Sequence, residues 1–134
     1  MSKKSILILS VIIILGGMIF LESNKIMSIL YPRKYSVYVE KYSQEYNLDE
    51  NLVYSIIKAE SKFNEKALSR RGAKGLMQIA DITRDWAIEQ LELSDDIDIY
   101  DPETNIRIGC WYLNTLYKEF GKTDLVIVAY NGGS

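Results

Sequence analysis

A chain of 134 residues, 48% hydrophobic and 25% charged, has room for one modest domain with apolar sequence to spare, and it excludes two independently folded domains. With no histidine and one cysteine, Cys110, it excludes a disulfide framework, histidine-type zinc sites, Ser-His-Asp triads and Cys-His nucleophiles. Without residues 1–21, which hold two lysines and no acid, 14 basic side chains face 18 acidic ones, a formal charge of −4 that disfavours nucleic-acid binding.

Ser5 to Leu21 runs without a charge directly after Lys3 and Lys4. A run of this length approaches the roughly 17 to 25 residues that cross a hydrocarbon core. The paired lysines place the N-terminal end in the cytoplasm, so the reading is a single-pass cell-membrane protein with everything after Glu22 on the extracytoplasmic side. A cleaved signal sequence has the same charged start and apolar stretch, but no small-x-small pair follows the run, which favours a retained anchor. Residues 1–22 are therefore read as anchor or signal sequence, 23–32 as a short stalk, and 33–134 as the domain.

Within the domain, Tyr35, Val39, Tyr42 and Tyr46 recur at helical spacing and predict a helix from Arg33 to Tyr46. Asp49 is a candidate cap for a second helix with an apolar stripe of Leu52, Val53, Ile56 and Ile57. Glu60 continues that stripe, four residues after Ile56 and three after Ile57, which directs a carboxyl group toward the buried side near the helix end. A polar loop follows, in which Gly72 and Gly75 are able to take positive φ. Arg70, Arg71 and Lys74 make its basic group, with a local substrate contact left open.

A helix is expected from about Asp81 to Leu91, with Ile82 and Trp86 one turn apart, then an acidic loop from Ser94 to Asp98. The clearest helix runs from Pro102 to Phe120, with Asp101 as N-cap and Gly121 as stop. Ile106, Cys110, Leu113, Leu116 and Phe120 form its apolar face, and Gly109 permits close approach of another backbone. A last helix spans Asp124 to Tyr130 and ends in Asn131, Gly132 and Gly133. No strand pattern rivals these, so the fold class is all-α.

A carboxyl group held against apolar side chains is poorly solvated when ionised, which raises its pKa and suits a general acid near neutral pH. Glycosidic cleavage needs such an acid, because the bond's oxygen leaves poorly until protonated. Periodicity alone leaves open a simple surface role, with Glu60 pairing with Lys58, Lys62 or Arg70.

The segment Ile57-Lys58-Ala59-Glu60-Ser61-Lys62-Phe63, then Ala67, Ser69, Gly72-Ala73-Lys74-Gly75-Leu76-Met77-Gln78-Ile79 and Thr83, resembles the soluble-lytic-transglycosylase-like domain family of the lysozyme-like superfamily. Asp101-Pro102, Asn105-Ile106, Gly109, Tyr112-Leu113 and Ala129-Tyr130-Asn131-Gly132-Gly133 match in the family's order, so the resemblance runs from about residue 35 to the C-terminus. It implies a lysozyme-like helical domain that cleaves the β-1,4 bond between N-acetylmuramic acid and N-acetylglucosamine in peptidoglycan. By the same resemblance Glu60 is catalytic, first as acid and then as base on the muramyl C6 hydroxyl, which attacks C1 and leaves a 1,6-anhydro end. Ser61 is expected to support the acid, and Ser69 to sit near a sugar N-acetyl group or the carboxyl. Met77 would form groove wall, Gln78 would donate a hydrogen bond to sugar, and Tyr130 and Asn131 would line the cleft, the ring stacking and the amide bonding.

Two departures stand out. Asp81 occupies a position where the family commonly has proline, and the family continues beyond its Tyr-Asn motif through a further helix and tyrosine, so the domain is expected to be C-terminally incomplete. No metal or organic cofactor is implied; the expected partners are glycan strands and the membrane, with no protein partner specified. Two alternatives remain: a goose-type hydrolytic lysozyme using Asp81 or Asp85 as second carboxylate, and a non-catalytic peptidoglycan-binding module.

Overall fold

The computed structural model describes residues 3–30 and 33–133, and the chain divides into two units, residues 1–33 and 34–134.

The first unit is one helix, α1, Lys3–Leu30. Its apolar section, Ser5–Ser23, is 19 residues long, about 28 Å at 1.5 Å per residue and so close to the roughly 30 Å of a hydrocarbon core. Large apolar side chains from Ile6 to Leu21 stand exposed around it. The one hydroxyl in mid-run, on Ser10, donates to the Leu7 carbonyl at 2.8 Å, which satisfies it within the helix. The stretch read as a stalk is helical as far as Leu30: α1 continues through Glu22 and Lys25, an exposed ion pair one turn apart. The remainder of that stretch, Tyr31 and Pro32, lies outside the described residues.

The second unit is all-helical, as the sequence implies. Helix α2, Ser36–Glu45, starts three residues later than expected because Tyr35 takes the left-handed conformation (φ 62°), which cannot continue a helix. Helix α3, Glu50–Ser61, is capped by Asp49, whose carboxylate accepts from the Asn51 amide at 2.8 Å. Helix α4, Asp81–Gln90, buries Thr83 and Ala87, while Ile82 is 79% and Trp86 41% exposed. Thr83 and Ala87 therefore mark the centre of its packed side, Trp86 lies at the edge of it and Ile82 faces away.

Helix α5, Pro102–Phe120, has the predicted ends: Asp101 accepts from the Thr104 amide at 2.9 Å, and Gly121 closes it at φ 69°. Ile106, Cys110, Leu113 and Leu116 are buried, but Phe120, in the last turn, is 39% exposed. Gly109 admits a side chain rather than a backbone, since a Cβ there would meet Met77 Sδ and Cε. Helix α6, Thr123–Gly133, runs on through Asn131 and Gly132 instead of ending at them, and buries Val126 and Tyr130.

Helix α5 is the axis of the domain, packing against α2, α4 and α6, with α3 laid on α2. Between α3 and α4 the chain forms no strand, only two isolated antiparallel bridges, Leu68 to Lys74 and Lys74 to Ile79. These fold residues 64–80 back twice and drive Leu76, Met77 and Ile79 into the core, at 0 to 2% exposure.

Candidate active site

Glu60 lies in the last turn of α3, on the stripe that buries Val53, Ile56 and Ile57. It is half-buried, and loss of solvation is the one cause that raises its pKa; no cation contributes. Pairing with Lys58, Lys62 or Arg70 is thereby corrected. Immediately after Ser61 the backbone takes two consecutive left-handed residues, Lys62 (φ 51°) and Phe63 (φ 63°). Neither is glycine, so this sharp exit stores strain of order 1–3 kcal/mol per residue, held in place by the burial of Phe63.

The exit delivers the chain to the opposite wall. A cleft of about 260 Å³ is lined by Glu60, Ser69, Arg70, Arg71, Ala73 and Gln78. Glu60 is its one carboxylate. Ser69 accepts from the Ala73 amide through Oγ at 3.0 Å, which leaves the hydroxyl hydrogen available to the cleft. Gln78 lies at φ 51° and is 6% exposed. Its Nε2 donates to the carbonyls of Gly75 at 2.9 Å and Ala67 at 3.3 Å. Both amide hydrogens are thus spent inside the loop, and the expected role as a donor to sugar gives way to that of a brace of the loop.

The remaining expected residues are not among those that line the cleft. The Ser61 hydroxyl donates back to the Ile57 carbonyl at 3.0 Å and is buried, so it completes the helix end under Glu60. Met77 is fully buried and is core, not groove wall. Tyr130 is 2% exposed, which leaves no ring face for stacking on sugar. Its hydroxyl donates to the Met77 carbonyl at 2.7 Å. Burial, and then the nearby Glu60 carboxylate, push the Tyr130 phenol well up, so it stays protonated beside the acid. Asn131 is exposed on α6.

The candidate second carboxylates are held elsewhere. Asp81 binds Lys74 at 2.7 Å and Arg84 at 2.9 Å, and the Lys74 hydrogen bond is the main cause that lowers its pKa. Asp85 binds Arg84 at 2.7 Å. Neither lines the cleft.

One residue with a positional role had no role assigned from sequence. Asn105, on α5 and 0% exposed, accepts from the Met77 amide at 2.8 Å and donates to the carbonyls of Ile99 at 2.8 Å and Lys74 at 3.0 Å. It stitches the loop to α5. Its position four residues before Gly109, on the otherwise apolar packed side of α5, was the available signal. A row of aromatic rings continues from Tyr130 outward: Tyr112 at 5.5 Å, then Trp86 at 6.4 Å from Tyr112, with Trp86 edge-on to Trp111 at 4.8 Å. Among the described residues no group of acids and cysteine could hold a metal ion.

Comparison with known proteins bears on this arrangement. Residues 37–134 match the Transglycosylase SLT domain family. The membrane-bound lytic murein transglycosylase C of Pectobacterium atrosepticum is 34% identical over 113 residues, covering 75% of this chain and 32% of that protein. The soluble lytic murein transglycosylase of Escherichia coli K12 is 33% identical over 107 residues, covering 77% of this chain and 17% of that protein. The chain thus spans a third or less of the length of these relatives. The crystal structure of the 70 kDa soluble lytic transglycosylase of Escherichia coli superposes with a TM-score of 0.74 at 31% identity, covering 80% of this chain and 18% of that one. By the family match over residues 37–134, with Glu60 and the folded-back loop inside it, the chain belongs to the Transglycosylase SLT domain family.

Proposed function

We propose that this protein is a peptidoglycan lytic transglycosylase in which Glu60 acts first as general acid and then as general base. The carrying observation is a desolvated carboxyl group, unpaired with any cation, as the one acid of its cleft. In the acid step the Glu60 proton passes to the glycosidic oxygen between N-acetylmuramic acid and N-acetylglucosamine, and the C1–O bond breaks with its electron pair on the leaving sugar. In the base step the Glu60 carboxylate takes the proton of the muramyl C6 hydroxyl, whose oxygen bonds to C1. The products are a free 4-hydroxyl and a 1,6-anhydromuramyl end, and Glu60 is again protonated.

Ser69 and Gln78, which line the cleft, would bond the sugar, Gln78 as an acceptor through Oε1; Ser61, Met77 and Tyr130 would position the acid and the wall, and Asn131, exposed on α6, would bond glycan through its amide. Ion pairing of Asp81 and Asp85 favours this one-carboxylate chemistry over a lysozyme that activates water with a second acid. Helix α1 would hold the domain to the membrane, with Lys3 and Lys4 on the cytoplasmic side and the domain facing the wall.

The test is to incubate the full chain, in detergent, and its Glu60→Gln variant with purified peptidoglycan and to weigh the released muropeptides. Anhydromuropeptides, lighter by one water, are expected from the wild type alone. Reducing-end products would replace the reading with a hydrolytic lysozyme, and tight binding without products would replace it with a binding module.

A further inference from the structure

We propose that Arg70 and Arg71 form an anion subsite of the Glu60 cleft, which takes a carboxylate carried on the muramyl residue of the strand; the inference rests on the peptidoglycan reading above. Both arginines line the cleft, and both are exposed. Neither has an ion-pair or hydrogen-bond partner among the described residues, whereas Lys41, Lys74 and Arg84 are each held by a carboxylate. They also leave Glu60 alone, since its pKa carries no contribution from a cation. Their ten N–H donors are therefore unspent at the mouth of a cleft whose one acid they do not neutralise.

The backbone beneath them is fixed. Arg70 and Arg71 are the two middle residues of a turn closed by the Gly72 amide on the Ser69 carbonyl at 3.1 Å. The Ser69 amide on the Ala73 carbonyl at 2.9 Å and the Ala73 amide on Ser69 Oγ at 3.0 Å lock its base. Gly72, at φ 87°, takes the conformation that a side chain would resist. A locked turn with adjacent arginines at its tip fixes the backbone from which two planar forks reach, and such forks suit bidentate carboxylate binding. In a segment whose formal charge from Glu22 onward is −4, this is a local cationic exception placed at the site.

A strand of N-acetylglucosamine alone offers no anion. A muramyl residue does, through its lactyl group: the lactyl carboxylate itself when bare, or the carboxylates of the stem peptide when the lactyl group is acylated. The shared chemistry is a carboxylate carried off the muramyl ring through the lactyl arm, at its end when bare and beyond it on the stem peptide.

Binding by the full-length Glu60→Gln protein in detergent, followed by titration calorimetry, separates the possibilities. The ligands are chitotetraose, a peptide-free GlcNAc–MurNAc tetrasaccharide, and the same tetrasaccharide with stem peptides whose carboxylates are free or amidated. Adding Arg70→Gln and Arg71→Gln is expected to raise Kd for the carboxylate ligands about tenfold and to leave chitotetraose unchanged. High salt should weaken the parent and not the variant. A loss on the peptide-free ligand assigns the lactyl carboxylate, and a loss only on free-acid stems assigns the peptide; either supports the subsite. Equal loss on chitotetraose, or no loss on any carboxylate ligand, overturns it while the saccharide reading stands. If the parent binds none of the four, the peptidoglycan reading falls and the subsite with it.

Discussion

Replacing Asn105 is the most searching test of how the fold holds the cleft. The side chain is fully buried and makes three hydrogen bonds, to the Met77 amide and to the carbonyls of Ile99 and Lys74. The Lys74 carbonyl also accepts from the Ile79 amide at 2.9 Å, so in Asn105→Ala it keeps a partner. The Met77 amide and the Ile99 carbonyl lose theirs. Two buried unsatisfied groups at about 1–3 kcal/mol each give an expected cost of about 2–6 kcal/mol, a large part of an ordinary domain's 5–15 kcal/mol. Asn105→Asp separates hydrogen bonding from shape. One oxygen still accepts from Met77, but the other now faces two carbonyls without a hydrogen, so the ionised form is repelled and its folded-state pKa must rise above the unfolded value. A raised acid stabilises below its unfolded pKa, near 3.9, and that stability is lost as pH rises through the folded pKa. The aspartate variant should therefore be less stable than the alanine variant at pH 8 and recover toward pH 4.5. Urea unfolding followed by the fluorescence of Trp86 and Trp111 measures both. A cost below about 1 kcal/mol for alanine, or a pH-independent aspartate variant, would refute the donor accounting.

Gly109→Ala should cost about 1–3 kcal/mol by overpacking, because its Cβ would lie 2.7 Å from Met77 Cε and 3.0 Å from Met77 Cβ; combining it with Met77→Ala should cost less than the sum of the singles in the same urea assay. Burial raises the Glu60 pKa, so the ionised form works against folding: Glu60→Gln should melt higher than wild type at pH 8, with the difference vanishing near pH 4 as both carry a neutral group, and a variant that melts lower at pH 8 would contradict a desolvated acid. Cys110 is buried, and its thiol is pushed up to about 12 by burial, then by Glu45; an aromatic disulfide reagent at pH 8 should find no thiol in the native protein and one equivalent in urea.

What could be read from the sequence, and what could not, divides along physical lines. Helix α5 was legible to the residue because its ends are chemical: an aspartate that accepts, a proline with no hydrogen to lose, a glycine at positive φ. Glu60 was legible because one carboxylate interrupted an apolar stripe. Helix α4 had legible extent but not legible facing, since Ile82-Trp86 and Thr83-Ala87 share the same spacing and only the position of α5 decides between them. The loop's burial was invisible, because Leu76, Met77 and Ile79 enter the core through turns with no period to detect.

The roles that changed most, those of Met77, Gln78 and Tyr130, share a cause. Met77 receives Asn105 of α5 on its amide and Tyr130 of α6 on its carbonyl, while its side chain fills the notch at Gly109. Gln78, the next residue, spends its donors on the same loop. A match to a family motif marks such residues as belonging to the site, yet it does not distinguish a side chain that touches sugar from one that fixes the wall that does. Counting donors, acceptors and exposed surface makes that distinction. On that count Glu60, Ser69 and the two arginines face the cleft with polar groups to spare, Gln78 lines it with its donors already spent, and the loop, α5 and α6 meet at Met77 to keep the facing wall in place.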